Sequence, residues 1–283
     1  MKLRLRNSEL DLSRPAVMGV LNVTPDSFSD GGNWSDVELA CSRAWAMAEE
    51  GAVIVDIGGE STRPGATPVA ETEELQRVIP VIERLAAERF PAFISVDSMK
   101  PAVMRAAVAA GASMINDVNA LRMPGAIEVA EQTGAAVCLM HMLGCPRDMQ
   151  KNPRYHNVVS EVGSYLMERA QACLAANIAP DRIVLDPGFG FGKTLEHNLA
   201  LLASLKNLAV GEFPLLVGMS RKSMLGTILD VPAGERGHGH SAAVAIAVLQ
   251  GAKILRTHEV RATMHAIKVA DSVRRAAEQK RTS

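Results

Sequence analysis

Short runs of Val, Ile, Leu and Met recur along the chain at residues 17–22, 53–57, 93–97, 114–117, 136–140, 183–186, 215–218 and 253–256. Each run is almost continuously apolar rather than alternating, as expected for parallel strands covered on both faces. Between the runs, apolar residues fall at helical spacing. Residues 36–51 form such a stretch, which stops at Gly51, and residues 71–89 follow a proline-containing loop. Residues 101–110 carry Pro101 in the first turn and end at Gly111, the usual punctuation of a short helix. Further helical stretches cover 124–133, 158–177, 195–205, 241–250 and 260–275. Eight strands, each followed by a helix, predict an α/β chain folded as a single (β/α)8 TIM barrel, with a doubly wound open sheet as its rival.

The polar residues among these runs favour the barrel. Asn22, Asp56, Asp97, Asn116, Asp186 and Arg256 each stand at or beside the C-terminal end of a different predicted strand. A closed barrel gathers those ends on one face, where the active sites of this fold are built. No linker, low-complexity stretch or repeat interrupts the pattern, so residues 1–283 are read as one domain.

Composition narrows the function classes. With 48% apolar and 22% charged residues the chain has globular values, and no apolar run approaches the length of a membrane span. Thirty-one acidic residues against thirty basic ones leave a net charge of −1, so there is no basic field to hold nucleic acid or an anionic membrane. The N-terminus, Met1-Lys-Leu-Arg-Leu-Arg6, lacks the apolar stretch of a signal peptide. Cysteines at 41, 138, 145 and 173 have neither zinc-like spacing nor the density of a disulfide scaffold. A reduced, soluble, cytoplasmic protein is expected.

Two loops stand out. The first strand runs into Asn22-Val-Thr-Pro-Asp-Ser-Phe-Ser-Asp-Gly-Gly32, and the second into Asp56-Ile-Gly-Gly-Glu-Ser-Thr-Arg-Pro-Gly65. Taken singly, each is either a plain turn or a substrate loop over the barrel mouth, since Pro, Asp, Ser and Gly serve both. Together, Met18-Gly-Val-Leu-Asn-Val-Thr-Pro-Asp-Ser-Phe-Ser-Asp-Gly-Gly32 and Gly51-Ala-Val-Ile-Val-Asp-Ile-Gly-Gly-Glu-Ser-Thr-Arg-Pro64 closely resemble the two signature blocks of the dihydropteroate synthase family. The resemblance continues, in order, through Ser95-Val-Asp-Ser-Met-Lys-Pro101, Ile115-Asn-Asp117, Leu185-Asp-Pro-Gly-Phe-Gly-Phe-Gly-Lys193, Val217-Gly-Met-Ser-Arg-Lys-Ser223 and Arg256-Thr-His258.

The resemblance implies a TIM-barrel transferase of folate biosynthesis, often dimeric. It would join 6-hydroxymethyl-7,8-dihydropterin diphosphate to 4-aminobenzoate with release of diphosphate. By resemblance Asp97, Asn116, Asp186 and Lys222 hold the pterin, with Thr62 beside it. Arg256 and His258 bind the diphosphate with Arg63, and Asn22 coordinates its magnesium ion (Mg2+). Thr62, Pro64, Phe28, Phe191, Arg221 and Ser223 form the aminobenzoate site, the target of sulfonamides. Lys222, Arg63 and Asp97 carry the catalytic roles.

These assignments agree with what the side chains can do. Carboxylates and an amide read the donor-rich edge of a pterin, and a lysine can donate to a ring carbonyl or nitrogen. Guanidinium and imidazole groups stabilise charge gathering on a leaving diphosphate. A single amide oxygen suits Mg2+, which takes most of its shell from phosphate and water. The arylamine is already a nucleophile, so no catalytic Ser, Cys or His is required.

Bland readings coexist with these. Asp97 and Asp186, each close to a proline, could cap turns, and Phe28 and Phe191 could be core. The run 188–193 matches neither the P-loop nor the dinucleotide-binding fingerprint, and reads as a close-approach loop beneath the aromatic substrate.

Two other functions fit a pterin pocket: a pterin-binding methyltransferase barrel, which needs neither the Asn22 loop nor the Arg256–His258 anion pair, and a non-catalytic pterin-binding protein, which would be expected to lose Lys222, Arg63 or Asn22. All of these residues are present. One stretch departs from the family. At Gly237-His-Gly-His-Ser241, a histidine occupies position 240, where a hydroxyl is expected. Ser241 is then read as the cap of the next helix, with His240 facing solvent.

Overall fold

The computed structural model describes residues 1–24, 33–62, 65–208 and 213–282. The eight apolar runs are strands β3 (Ala16–Asn22), β4 (Ile54–Gly58), β5 (Phe93–Asp97), β6 (Met114–Asp117), β7 (Ala136–Met140), β8 (Ile183–Asp186), β9 (Leu216–Gly218) and β10 (Ile254–Thr257). All neighbouring pairs are parallel, in the spatial order β8-β7-β6-β5-β4-β3-β10-β9. A bridge between Leu185 and Leu215, with the Leu185 N–H donating to Pro214 O at 3.0 Å, joins the two ends. The sheet is therefore a barrel, and the doubly wound alternative is excluded.

Helices α1 (Asn33–Glu49), α2 (Glu71–Ala87), α3 (Pro101–Ala110), α4 (Ala126–Thr133), α5 (Val158–Ala175), α6 (Leu195–Ala203), α7 (Leu205–Leu208), α8 (Ser223–Leu229), α9 (Gly237–Leu249) and α10 (Val260–Thr282) follow the strands. Their apolar stripes lie on the outer face of the barrel in one large core that includes Val55, Ile57, Val96, Val137, Leu185 and Val217. No described helix is long and apolar enough to cross a membrane.

Five local outcomes differ from the pattern. The expected helix over 195–205 divides at Ser204 into α6 and α7, α8 is an additional helix directly after the Arg221–Lys222 loop, and α9 begins at Gly237 rather than after residue 240. The last helix runs on to Thr282, past the end of its apolar stripe, with residues 276–279 exposed.

The fifth is an antiparallel hairpin, β1 (Lys2–Leu5) and β2 (Ser8–Asp11), ahead of the first apolar run. Leu3, Leu5 and Leu12 are fully buried against the start of the barrel, in a second core with Ile54, Met114, Ala136, Val184, Leu216 and Ile254. Arg4 pairs with Asp181 at 2.9 Å, in the short turn that leads into β8. The hairpin closes the end opposite the polar strand ends.

Candidate active site

At the C-terminal mouth the parallel register brings Asp56 on β4, Asp97 on β5, Asn116 on β6 and Arg256 on β10 to the barrel interior. Arg256 Nε donates to Asp56 Oδ2 at 2.7 Å and its Nη2 to Asp97 Oδ2 at 2.7 Å, while Asn116 Nδ2 donates to Asp56 Oδ2 at 2.8 Å. Burial raises the Asp97 carboxyl, with Arg256 pulling it back and the other carboxylates adding to the rise. Burial works against the Arg256 charge too, but Asp56 and Asp97 more than offset it and hold the guanidinium above its ordinary range. Gly58 leaves room for this arrangement, since a Cβ there would stand 3.3 Å from Asp97 Cβ.

Asp186, at the end of β8, accepts the Gly188 N–H at 2.7 Å, so the turn-capping reading holds for one of its oxygens. Burial pushes its pKa up to about 6 against the pull of that hydrogen bond and of Lys222, Arg256 and Lys193. The loop behind it folds tightly. Gly188 has φ +66°, and a Cβ there would lie 2.0 Å from His141 O, so only glycine fits. The loop delivers Phe191 beneath Lys222, whose Nζ lies 3.9 Å from the ring centroid, a cation–π contact.

Lys193 closes this loop, a residue to which the family resemblance assigns no role. It is buried, with Nζ 3.0 Å from His141 Nδ1, 2.9 Å from Gly188 O and 3.0 Å from Phe191 O. Burial, with Lys222 adding to it, lowers its pKa to about 7, although Asp186 opposes the fall.

The third cluster joins β9 and β10. His258 Nδ1 lies 3.1 Å from Ser220 Oγ, and the His258 N–H donates to the same oxygen at 3.2 Å. Arg221 adopts φ +61°, and Arg236 Nη1 donates to the carbonyls of Arg221 at 3.0 Å and Lys222 at 3.3 Å. Lys222 is the extended residue that opens α8, and Ser223 is its first residue.

The loop after β4 is fixed at its root. Lys100 pairs with Glu60 and with Glu74, and Arg77 donates to Gly59 O at 2.6 Å. Thr62 is half-buried just beyond. Phe28, Arg63 and Pro64 lie outside the described residues.

Asn22 ends β3 in register with Gly58, with its side chain half-buried. No group of three or more His, Cys, Asp or Glu side chains that could hold a metal ion exists among the described residues. The single amide oxygen of Asn22 is a donor that fits a cation taking the rest of its shell from phosphate oxygens and water.

The expectation at position 240 is corrected. Because α9 starts at Gly237, Ser241 lies inside the helix and does not cap it, and His240 is buried rather than solvent-facing. His240 Nε2 lies 3.0 Å from Thr257 Oγ1 and 3.1 Å from Thr263 Oγ1. Asp56 is likewise more than a strand-end residue, since it holds both Arg256 and Asn116. Its place at a strand end was the available signal.

Residues 18–258 match the family described as pterin binding enzyme. The chain is 52% identical over 281 residues to the dihydropteroate synthase of Escherichia coli strain K12, covering 99% of each. Among solved structures it is similar to Yersinia pestis dihydropteroate synthase in a sulfonamide drug complex, with a TM-score of 0.91 and 51% identity over 97% of this chain and 99% of that one. It is also similar to the Burkholderia cenocepacia enzyme complexed with 7,8-dihydropteroate, with a TM-score of 0.89 and 47% identity over 98% of each chain.

Proposed function

We propose, from the premise that this chain belongs to the dihydropteroate synthase family, a role for each group at the barrel mouth in the reaction of that family. The enzyme transfers a pterinylmethyl group from 6-hydroxymethyl-7,8-dihydropterin diphosphate to 4-aminobenzoate, giving 7,8-dihydropteroate and diphosphate. The arylamine nitrogen forms the new C–N bond at the pterin methylene. The C–O bond to diphosphate breaks with its electron pair leaving on the diphosphate, and the amine gives up a proton. Near-full-length identity to an enzyme of this activity is the observation that carries the reading.

In the proposed assignment Asp97, Asn116 and Asp186 face the polar edge of the pterin, and Lys222 donates to a ring carbonyl or nitrogen. The Arg256 bridge to Asp56 and Asp97 sets the carboxylates before substrate arrives, so little rearrangement is needed on binding. Lys222 above Phe191 holds a cation beside the ring system.

Arg256 and His258, with Arg63, stabilise charge on the departing diphosphate. Arg256 is already engaged by two carboxylates, and His258 is held against Ser220. Mg2+ bound through Asn22 and the diphosphate would neutralise the leaving group. Thr62, Pro64, Phe28, Phe191, Arg221 and Ser223 receive the aminobenzoate, and Arg221 supplies a cation for its carboxylate.

The protein is further proposed to be a cytoplasmic homodimer. Its four cysteines are all free, in keeping with a reducing compartment. Ile246 and Leu249 on α9 and Val269 and Val273 on α10 expose apolar surface on two helices that pack together, a face a second copy could cover. Light scattering at micromolar concentration tests the dimer. The test of the activity is release of diphosphate that requires pterin diphosphate, 4-aminobenzoate and Mg2+ together. Release that ignores aminobenzoate would refute it.

A further inference from the structure

We propose that His240 is a positioning residue for the anion-binding segment 256–258, an inference that rests on the assignment of Arg256 and His258 to the diphosphate. Strand alternation sends Arg256 inward to Asp56 and Asp97, and turns the fully buried Thr257 outward to the helices. There Thr257 Oγ1 accepts the Glu259 N–H at 3.0 Å, lies 3.1 Å from Thr263 Oγ1, and lies 3.0 Å from His240 Nε2. His240 Nε2 is also 3.1 Å from Thr263 Oγ1, so three buried side chains form a triangle across α9, β10 and α10. The one residue between Arg256 and His258 is thus tied to both flanking helices.

The same histidine reaches the other cationic loop through its backbone. Its N–H donates to Arg236 O at 2.8 Å, and Arg236 donates to the carbonyls of Arg221 and Lys222. Segments 220–222 and 256–258, which meet where His258 contacts Ser220, are therefore referenced to a single turn of α9. His240 Nδ1 is buried without a partner among the described residues, a cost that an apolar residue would avoid. The imidazole is kept with its Nε2 contacts in place, where the family resemblance expects only a hydroxyl.

The experiment compares His240→Leu, His240→Gln and Thr257→Val, using inhibition by inorganic diphosphate in the presence of Mg2+ and the separate KM values of the two substrates. His240→Leu is expected to raise the diphosphate inhibition constant and the KM for pterin diphosphate about tenfold, the scale of one buried hydrogen bond. The KM for aminobenzoate should stay within about twofold. His240→Gln, whose amide can reach toward the Nε2 position, should restore most of the loss. Thr257→Val should match His240→Leu, and the double variant should be no worse than either.

Should His240→Leu fail to fold, Thr257→Val and His240→Gln decide the question. Diphosphate inhibition within about twofold of wild type in a folded His240→Leu or Thr257→Val variant overturns the positioning role. His258→Ala separates the two layers: if it leaves diphosphate inhibition unchanged, the underlying anion assignment is wrong. If it weakens inhibition while His240→Leu does not, only the role of His240 is refuted.

Discussion

Lys193 Nζ lies 3.0 Å from His141 Nδ1, so a lysine and a histidine share a buried contact directly behind the loop that carries Phe191. Burial, reinforced by Lys193, depresses the His141 pKa to about 3, which leaves the imidazole neutral and able to accept from the ammonium. The lysine also gathers the carbonyls of Gly188 and Phe191. Replacement by Met would strand those oxygens. Lys193→Met is expected to cost about 2 kcal/mol of stability at neutral pH and to raise the pterin KM more than the aminobenzoate KM. Urea unfolding and steady-state kinetics on the same preparation check both.

Pterin affinity should fall as the pH is lowered through about 6, because the Asp186 carboxyl titrates there and its protonation removes an acceptor for pterin N–H groups. The folding contribution has the opposite sign. The folded pKa lies above the ordinary 3.8, so between 3.8 and about 6 the native state holds the proton more tightly, and this group's contribution to stability falls as the pH rises. Calorimetric titration with a pterin across pH 5–8 (a range of about three units) tests the first statement. Asp186→Asn should flatten the profile. An unchanged slope in that variant assigns the titration elsewhere.

Asn22→Ala is expected to weaken turnover through metal and diphosphate while leaving free pterin binding little changed. The Mg2+ concentration giving half-maximal rate should rise about tenfold or more. A variant that binds diphosphate with wild-type Mg2+ dependence removes Asn22 from the metal site.

Aminobenzoate should bind tightly only after pterin diphosphate, or a pterin analogue plus diphosphate, has entered the barrel. Anion contacts of Arg63 with the first substrate would help assemble the aminobenzoate pocket, which takes Thr62 and Pro64 from the same loop. Equal aminobenzoate affinity for the empty and the loaded enzyme, measured by calorimetry, would rule this out.

Thr194 accepts the His197 N–H at 3.3 Å, and His197 Nδ1 accepts the Thr194 N–H at 3.2 Å, a reciprocal cap at the start of α6. Thr194→Ala should cost about 1 kcal/mol with turnover unaffected, since the cap is made between these two residues themselves. Thermal unfolding with an activity assay checks the pair.

Much of this architecture is written locally. Near-continuous apolar runs such as 136–140 admit few structures other than a buried strand, and the polar residue closing each run marks the face where chemistry gathers. Partners distant in sequence leave no such trace. Arg256 and Asp56 are 200 positions apart, and only the pairing of β10 with β3 and of β3 with β4 makes them neighbours, so the ion pair between them leaves no mark in the sequence.

The start of α9 is hidden from the sequence for a related reason. Ser241 has the right chemistry for a cap, but the packing of His240 against Thr257 and Thr263 draws the helix four residues further back. The hairpin at residues 2–11 was missed because two four-residue strands alternating with charges carry little apolar signal of their own. Their leucines matter only once there is a barrel end to cover.

That hairpin also sets an order of assembly. Leu3 and Leu5 leave the ribosome long before Leu216 and Ile254, which complete the bed they occupy. Through most of translation the plug has no finished opening to fill. The hairpin thus takes its final place late, and the sealing of the barrel floor reports that β9 and β10 have arrived.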